Sequence, residues 1–389
     1  MQVDMAKQGT VPGWAEETGQ RRSAFDGGRR SGARRVRAVL AVIAALATAA
    51  GCASSSGSTA APGATGLQTI KIAVLPTQSN LGIYAAIDNG YFKSAGIDVQ
   101  LTQTSNGPAD LAAVIGGSAD LGFSEILSAT AAIENGESLN LVTAVNGGDP
   151  VDASIQKHPS TAPGGNSGAL LVSPKSSITT AAGLKGKTIG YNGVPLLKTL
   201  IEKYLDDNGV DPQSVQYTVI SNYAAMGTAL AASQVDAVVA IDPFQEEIIG
   251  AGQGKILANV SAQEPSASVI AGLWGTPSWL KAHSTLVSSF VAAFRRGAAA
   301  ANEMTPLQKV TTLSKFGQFT NLAQLQTQIP TIVDDIHYAV QASVPMTTGS
   351  GDWSVASANA WISVGVKYGV VPKAANLGQY LWPTATGAS

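Results

Sequence analysis

The feature of the sequence that most constrains its fold is an order of elements that occurs twice. Residues 69–123 contain an apolar run, a polar turn, an amphipathic stretch and two further strand-like runs, and the same order returns over residues 186–239. Gly-aliphatic-Asp triplets at 96–98 and 209–211 occupy matching places in the two series. Strands that alternate with helices of this length predict sheets covered by helices, so the repetition predicts two α/β lobes.

The C-terminal third of the chain has a different pattern. After a strand-like run at 268–273, apolar residues recur at three- and four-residue spacing, which is typical of helices. The predicted helices cover 285–301, 305–316, 322–343 with a break at Pro330, and 353–368. Because no new sheet is predicted there, these helices are expected to pack on an existing lobe.

Charge is divided unevenly along the 389 residues. The first 51 carry +4 and the rest −6, and beyond residue 51 the only arginines are Arg295 and Arg296. Nucleic-acid binding depends on clustered Arg and Lys that contact phosphates, so we exclude nucleic acid as a partner.

The N-terminal segment has the pattern of an export signal. Basic residues precede an apolar run at 38–50, which as a helix would be about 20 Å long, well short of the roughly 30 Å needed to cross a bilayer. Gly51 and Cys52, the only cysteine, follow. Ala49-Ala50-Gly51-Cys52 resembles a bacterial lipobox, with Ala49 in place of the usual Leu. We expect residues 1–51 to be a lipoprotein-type signal peptide and Cys52 to be lipidated.

Residues 52–66 predict a flexible tether. They are almost entirely Ser, Gly, Ala, Thr and Pro, with no charge. The sequence therefore predicts an exported domain, held by lipid at the outer face of the bacterial cytoplasmic membrane and without a disulfide, since one cysteine cannot form one within the chain.

Four motifs resemble those of one family of solute-binding proteins. Residues 82–99 contain an aliphatic-Tyr-Ala, Gly-Tyr-Phe and Gly-Ile-Asp-Val signature, and residues 117–122, 184–190 and 235–237 resemble its Gly-x-Ala-Asp-Ile-Gly, Leu-Lys-Gly-Lys and Asp-Ala segments. The family serves ABC importers of alkanesulfonates, taurine, nitrate and thiamine-precursor pyrimidines.

The resemblance implies a type II periplasmic-binding-protein fold. In it, two α/β lobes are joined by two crossing strands, here near 168–172 and 268–273, and the C-terminal helices pack on lobe one. We expect lobe one to comprise 67–170 and 269–389, and lobe two 171–268. A monomer would capture a ligand between the lobes and deliver it to an ABC permease with its ATPase.

Candidate ligand contacts come from turns that follow strands. Ligands of open α/β sheets bind beyond the carboxyl ends of the strands, next to helix N-termini. Ser79 or Asn80 is expected to cap the first helix. This rule selects ten residues for the cleft: Gln78, Ser79, Asn80, Ser124, Glu125, Asn146, Tyr191, Asn192, Val194 and Asp242.

The chemistry of these residues limits the ligand. None is Arg or Lys, the usual partners of a planar oxyanion, although helix N-termini alone can bind an anion. Glu125 and Asp242 would instead accept hydrogen bonds from an amine, an amidine-like ring or a diol. The sequence thus favours a small polar ligand that is neutral or cationic.

Enzymatic alternatives have less support in the sequence. The three histidines, His158, His283 and His337, show no metal-binding spacing, and neither GxGxxG nor Walker patterns occur, so no metal site, nucleotide loop or cofactor is expected. The same fold also hosts the eukaryotic thiamine-pyrimidine synthase, whose cysteine-rich motif is missing here. An enzyme of that kind and a sensory lipoprotein without transport remain the alternatives.

Overall fold

A computed structural model of the chain describes residues 66–147, 168–241, 244–264, 268–316 and 340–388. The predicted signal peptide, Cys52 and Asp242 lie outside these residues, as does nearly all of the tether. Among the helices of the described part, none is both long enough and apolar enough to cross a membrane.

The described strands form two sheets. In chain order they are β1 (Gln68–Val74), β2 (Ile97–Gln103), β3 (Leu121–Glu125), β4 (Asn140–Gly147), β5 (Ala169–Val172), β6 (Thr188–Tyr191), β7 (Gln216–Val219), β8 (Ala237–Ala240), β9 (Lys255–Asn259), β10 (Val269–Gly275) and β11 (Val340–Gln341).

The described α-helices lie between and after these strands. They are α1 (Leu81–Asp88), α2 (Tyr91–Ser94), α3 (Gly107–Ile115), α4 (Ile126–Glu134), α5 (Pro195–Asp207), α6 (Tyr223–Ala231), α7 (Phe244–Gly250), α8 (Pro277–Ala282), α9 (Ser284–Asn302), α10 (Pro306–Lys315) and α11 (Val355–Lys367).

The two sheets have the same strand order. The first is β2-β1-β3-β10-β4-β11 and the second is β7-β6-β8-β5-β9. In each sheet the first three strands are parallel, and the fourth runs antiparallel to both its neighbours. In the chain, the antiparallel strand of each sheet comes directly after a strand of the other sheet: β5 follows β4, and β10 follows β9. The predicted mixed α/β fold with two similar lobes is confirmed, and each sheet with its packed helices is called the first or second lobe below.

One pair of hydrogen bonds recurs in both lobes and explains the sequence repeat. The Asp120 carboxylate accepts the Lys71 N–H at 2.8 Å, while the Asp120 N–H donates to the Lys71 carbonyl. Asp236 and Thr188 make the same two contacts in the second lobe. An Asp just before β3 therefore bonds to β1 in the first lobe, and an Asp just before β8 bonds to β6 in the second. The same Asp occurs in both series because it makes the same contacts.

The series differ by a short insertion whose place is now visible. Asp120 follows Gln100, the β2 partner of Lys71, by twenty residues, and Asp236 follows Gln216, the β7 partner of Thr188, by the same number. The Asp residues of the Gly-aliphatic-Asp triplets lie 22 residues before Asp120 and 25 residues before Asp236. This difference arises upstream of β7, where a three-residue 3-10 helix at Pro212–Ser214 precedes the strand. The Gly-aliphatic-Asp triplets therefore match in sequence, but Asp98 lies in β2 whereas Asp211 caps this 3-10 helix.

The C-terminal helices pack mainly on the first lobe, as predicted. Helix α9 lies along α1, and Phe290 and Phe294 are fully buried with Ile70 and Ile72 of β1. The third predicted helix, at 322–343, lies almost entirely outside the described residues. Its last part is a strand and not a helix, since β11 (Val340–Gln341) pairs antiparallel with the end of β4 and extends the first sheet.

Candidate functional site

A cavity lies where the first lobe meets the second. The cavity is small, with a volume of about 40 Å³. Both lobes line it, and the lining is mainly apolar. The residues are Leu75, Thr77, Ser79, Phe123, Glu125, Asn146, Ile270 and Ala271 from the first lobe, and Val194, Leu196, Leu197, Tyr223 and Ile241 from the second.

The floor of the cavity is a row of three residues on adjacent strands. Ala271 of β10 is in register with Glu125 of β3 on one side and with Asn146 of β4 on the other. Neighbouring strands are about 4.8 Å apart, so the two polar residues flank a methyl group across roughly 10 Å. The small Ala271 side chain thus lies between a carboxyl and an amide in the cavity lining.

Glu125 is the most constrained of these side chains. It is 8% exposed, stands at the N-cap of α4, and accepts a hydrogen bond from the Ser128 hydroxyl at 3.2 Å. Its carboxylate lies against Gly107 in the first turn of α3, where a β-carbon would collide with it. Burial raises the pKa of Glu125, while the Ser128 hydrogen bond favours the charged form. The ends of two helices thus position one carboxyl at the cavity wall.

A second buried carboxyl lies behind Glu125. Asp110 of α3 is fully buried and accepts the Leu75 N–H at 3.1 Å and the Thr104 hydroxyl at 2.6 Å. Burial, supported by the nearby Glu125 charge, raises the pKa of Asp110 to about 8, although both hydrogen bonds oppose the shift. Asp110 holds β1 to α3 and does not line the cavity.

Asn146 presents an unsatisfied acceptor. It is 4% exposed, and its buried Oδ1 has no hydrogen-bond partner among the described residues. A buried amide oxygen without a partner costs about 1–3 kcal/mol, so this position favours a ligand that donates a hydrogen bond.

The second lobe supplies an aromatic wall. Tyr223 of α6 is buried and stacks on Phe244 of α7, with ring centroids 4.8 Å apart and planes 7° from parallel. Burial, followed by the Glu125 charge, raises the pKa of Tyr223, so its hydroxyl stays neutral. Tyr223 and Glu125 of the opposite lobe line the same cavity.

Four of the ten predicted residues line the cavity: Ser79, Glu125, Asn146 and Val194. Asn192 is buried beside it, where its Oδ1 accepts the Val194 N–H at 3.2 Å. Ser124 is buried as well, and its carbonyl accepts the Trp274 indole N–H. Asp242 lies outside the described residues, so the structure does not place it.

Three predicted residues have other surroundings. Asn80 stands at the N-cap of α1, but neither it nor Ser79 caps the helix, because Asn80 Nδ2 donates to the Leu75 carbonyl at 2.8 Å. Gln78 is buried in a 3-10 helix and is not a lining residue. Tyr191 packs edge-on against Tyr217, with centroids 6.4 Å apart, also away from the lining.

Sequence reasoning missed Tyr223 and the apolar lining. Tyr223 directly follows Asn222, which caps α6 after β7, so it obeys the same strand-to-helix rule as the predicted residues. The signal was hidden because β7 is short and largely exposed, without an apolar alternation. Within the described residues, no group of three or more His, Cys, Asp or Glu could hold a metal ion.

Solved structures with the same fold bind solutes. The alkanesulfonate-binding protein SsuA from Xanthomonas axonopodis pv. citri, bound to MOPS, has a TM-score of 0.63 at 19% identity, covering 82% of this chain and 99% of that chain. SsuA from Escherichia coli gives 0.60 at 18% identity, with the same shares. A ligand-binding component of an ABC-type import system from Staphylococcus aureus gives 0.61 at 16%, covering 83% and 99%. At these identities the likeness shows the periplasmic-binding-protein fold.

Curated relatives at higher identity are enzymes. The 4-amino-5-hydroxymethyl-2-methylpyrimidine phosphate synthases THI11 and THI5 of Saccharomyces cerevisiae are each 28% identical over 185 residues. The match covers 46% of this chain and 48% of each relative, so it spans about half the length of either protein. The family model described as NMT1/THI5 like matches residues 78–159 and 164–304, more than half of the chain. The chain therefore belongs to the NMT1/THI5-like family, as the motifs in its sequence predicted.

Proposed function

We propose that this protein is an extracytoplasmic solute-binding lipoprotein. It captures a small polar molecule between its lobes and delivers it to an ABC permease and its ATPase. The observation that carries the proposal is the cavity between the lobes, in which Glu125 and Asn146 of the first lobe face the aromatic and aliphatic wall of the second. The neighbours with this fold are solute-binding proteins, which supports the same role.

The location of the protein follows from its N-terminal sequence. Residues 1–51 would direct export, Cys52 would carry the lipid, and residues 52–66 would let the domain move near the membrane. Mass spectrometry of the mature N-terminus tests this: a diacylated Cys52 is expected, and an unmodified N-terminus at any other residue would contradict the anchor.

The lobe boundaries near residues 170 and 269 remain a prediction.

The cavity favours a neutral or cationic ligand that donates hydrogen bonds. Its lining includes the Glu125 carboxylate, which already accepts from the Ser128 hydroxyl, and the unpaired Asn146 amide oxygen. No Arg or Lys is present among the described lining residues. An anion placed beside Glu125 would need to overcome repulsion in a partly desolvated space. The ligand of this chain is thus expected to differ from a sulfonate.

The ligand can be sought without knowing its identity. Native mass spectrometry of the purified protein would detect a retained molecule, and a thermal-shift panel of amines, pyrimidines, sulfonates and aromatic acids would rank candidates by stabilisation. Stabilisation by amines or neutral heterocycles is expected. If sulfonates alone stabilise the protein, the acidic character of the cavity has been misjudged.

Glu125→Gln tests the carboxyl directly. It removes the charge with little change in shape, so affinity for a cationic ligand should fall about tenfold to a hundredfold, in keeping with the loss of a charge-assisted hydrogen bond. Titration calorimetry measures it, with the exposed Glu137→Gln as the matched control. Equal affinities of Glu125→Gln and Glu137→Gln would show that Glu125 does not contact the ligand.

A synthase on the same fold is the second candidate, because the yeast relatives at 28% identity are named as synthases. Chemical turnover of a molecule bound in the cavity, seen as a new product after incubation, would favour it. Release of the molecule unchanged supports capture. A sensory lipoprotein with no transport partner is distinguished by the absence of permease and ATPase genes beside its own.

A further inference from the structure

Helix α5 of the second lobe is held at both ends by side chains of the first lobe. At its N-terminal end, Asn106 Nδ2 donates to the Asn192 carbonyl at 3.3 Å. At its C-terminal end, Asp206 accepts from the Lys367 ammonium at 2.6 Å and from the Tyr368 hydroxyl at 3.0 Å. These two contacts are called the clasp below. They are about 20 Å apart, since α5 has thirteen residues.

Both ends of the clasp are anchored in rigid elements. Asn106 caps α3, and its Oδ1 accepts the Ala109 N–H at 2.9 Å, so the same side chain has one hydrogen bond in each lobe. Lys367 is the last residue of α11, whose Trp361 and Ile362 are buried and whose Gly365 approaches Leu127 of α4 too closely for a β-carbon. A movement that separates α5 from both α3 and α11 would break these contacts.

The clasp lies outside the cavity. Lys367 and Asp206 are 61% and 42% exposed, and neither they nor Asn106 are lining residues. The Lys367 and Tyr368 hydrogen bonds lower the pKa of Asp206, so the carboxylate is charged at neutral pH. Lys203, one turn earlier, pairs with Asp207 at 2.6 Å and adds positive charge nearby.

We propose that the clasp biases the lobes toward the closed arrangement through this chain's own side chains, independently of what the cavity holds. The closed form is then populated before capture, and a ligand adds to a bias that is already present. An exposed ion pair and one side-chain hydrogen bond are each worth little, so the expected change in the closed-to-open ratio is about twofold to fivefold for each contact removed.

The distance between the lobes can be measured by double electron–electron resonance. Exposed positions Glu137 of the first lobe and Gln216 of the second take nitroxide labels through E137C and Q216C, in the full chain carrying C52S so that no other thiol is present. The protein is unfolded and refolded before measurement to remove any retained molecule. A major short-distance population is expected in the otherwise unaltered chain.

Lys367→Met should lower the closed-to-open ratio about fivefold, and the exchange D206K with K367D should restore it. Lys373→Met is the matched control, because Lys373 pairs with Glu134 at 2.9 Å, and Glu134 lies on α4 of the first lobe. In about 1 M salt the screening length is near 3 Å. Such salt should lower the closed-to-open ratio of the unaltered chain as much as Lys367→Met does, and should not change the ratio of the Lys367→Met variant.

Asn106→Asp tests the other end of the clasp without loss of the helix cap. Aspartate still accepts the Ala109 N–H but cannot donate to the Asn192 carbonyl. Asn222→Asp at the cap of α6 is its matched control, since Asn222 accepts the Ala224 N–H in the same way. The proposal is overturned if Lys367→Met and Lys373→Met give the same distances, if Asn106→Asp and Asn222→Asp do so, or if the unaltered chain is already open.

Discussion

Two carboxyls near the cavity have different tasks, although both are buried. Glu125 lines the cavity and accepts from the Ser128 hydroxyl, whereas both oxygens of Asp110 accept hydrogen bonds away from the cavity lining. The difference follows from position: Glu125 ends a strand, and Asp110 lies one turn inside a helix. Position along an element therefore separates a candidate ligand contact from a structural residue.

The Asp110 carboxyl should make stability depend on pH. Its pKa is raised from the ordinary 3.8 to about 8 in the folded protein, so the native state holds a proton that the unfolded state has lost. The free energy of unfolding should therefore fall as pH rises from about 4 to about 8, by as much as about 1.4 kcal/mol per pH unit. Thermal unfolding of Asp110→Asn against pH should show a flatter slope. An unchanged slope would mean that the carboxyl is ionised in the folded state.

Gly107 is needed where the Glu125 carboxylate crosses the first turn of α3. A β-carbon there would overlap with the carboxylate and lie 2.9 Å from the Ser124 hydroxyl. Gly107→Ala should leave the fold intact, because the end of Glu125 can move, but should weaken binding of the retained ligand about tenfold. Calorimetry of Gly107→Ala beside Glu125→Gln measures this. Affinity equal to that of the unaltered protein would show that the carboxylate position is unimportant.

At the scale of elements, the closest helix packing is between α1 and α9. A β-carbon at Gly297 would overlap with the Gly82 carbonyl and the Ala86 methyl, so glycine lets the two helices touch. Gly82 of α1 is less restricted, since a β-carbon there would lie 3.2 Å from the Ala298 backbone, a tight contact but not an overlap. Small residues at this crossing set how closely the C-terminal helices lie against the first lobe.

Gly297→Ala separates helix propensity from packing by the sign of its effect. Propensity alone predicts a gain of about 1 kcal/mol in unfolding free energy, whereas the overlap predicts a loss of about 1–3 kcal/mol. We expect the loss, measured by chemical denaturation. Ala299→Gly, at an exposed position of the same helix, measures how much the difference in helix propensity alone changes the unfolding free energy. A stabilised Gly297→Ala protein would show that α1 can move away at no cost.

The sequence was most informative where elements repeat and least where they are irregular. The two series predicted both lobes, because an Asp that bonds to the first strand is required in each. Strand ends also led to Glu125 and Asn146. Tyr191 is the last residue of β6 and precedes the turn that leads to the lining residue Val194. Because successive residues of a strand point to opposite faces, Tyr191 packs on Tyr217 and not in the cavity. The apolar cavity lining could not be separated from ordinary core by residue type.

At the scale of the whole molecule, the second sheet lies within the sequence of the first. Strands β5 to β9 are all made after β4 and before β10, and β10 pairs with both β3 and β4. The first sheet therefore cannot be completed by the N-terminal part of the chain. The second sheet has all five of its strands once residue 259 is reached.

A truncated chain should reveal this dependence. A chain that ends after Glu264 lacks β10, so amides of β3 and β4 should exchange with solvent at least a hundredfold faster, while those of β6 and β8 stay protected. A chain that ends after Phe316 contains β10 and should recover protection in β3 and β4. Hydrogen exchange followed by mass spectrometry reads each strand separately. Slow exchange of β4 in the shorter chain would contradict the expectation.

The late arrival of β10 determines when the first sheet can be completed during synthesis. More than 120 residues separate β4 from β10, which ribosomes need roughly 6 to 24 seconds to add. Throughout that interval the first sheet lacks the strand that lies between β3 and β4. Because β10 carries Ala271, the same late strand completes both the first sheet and the row formed by Glu125, Ala271 and Asn146 in the cavity lining.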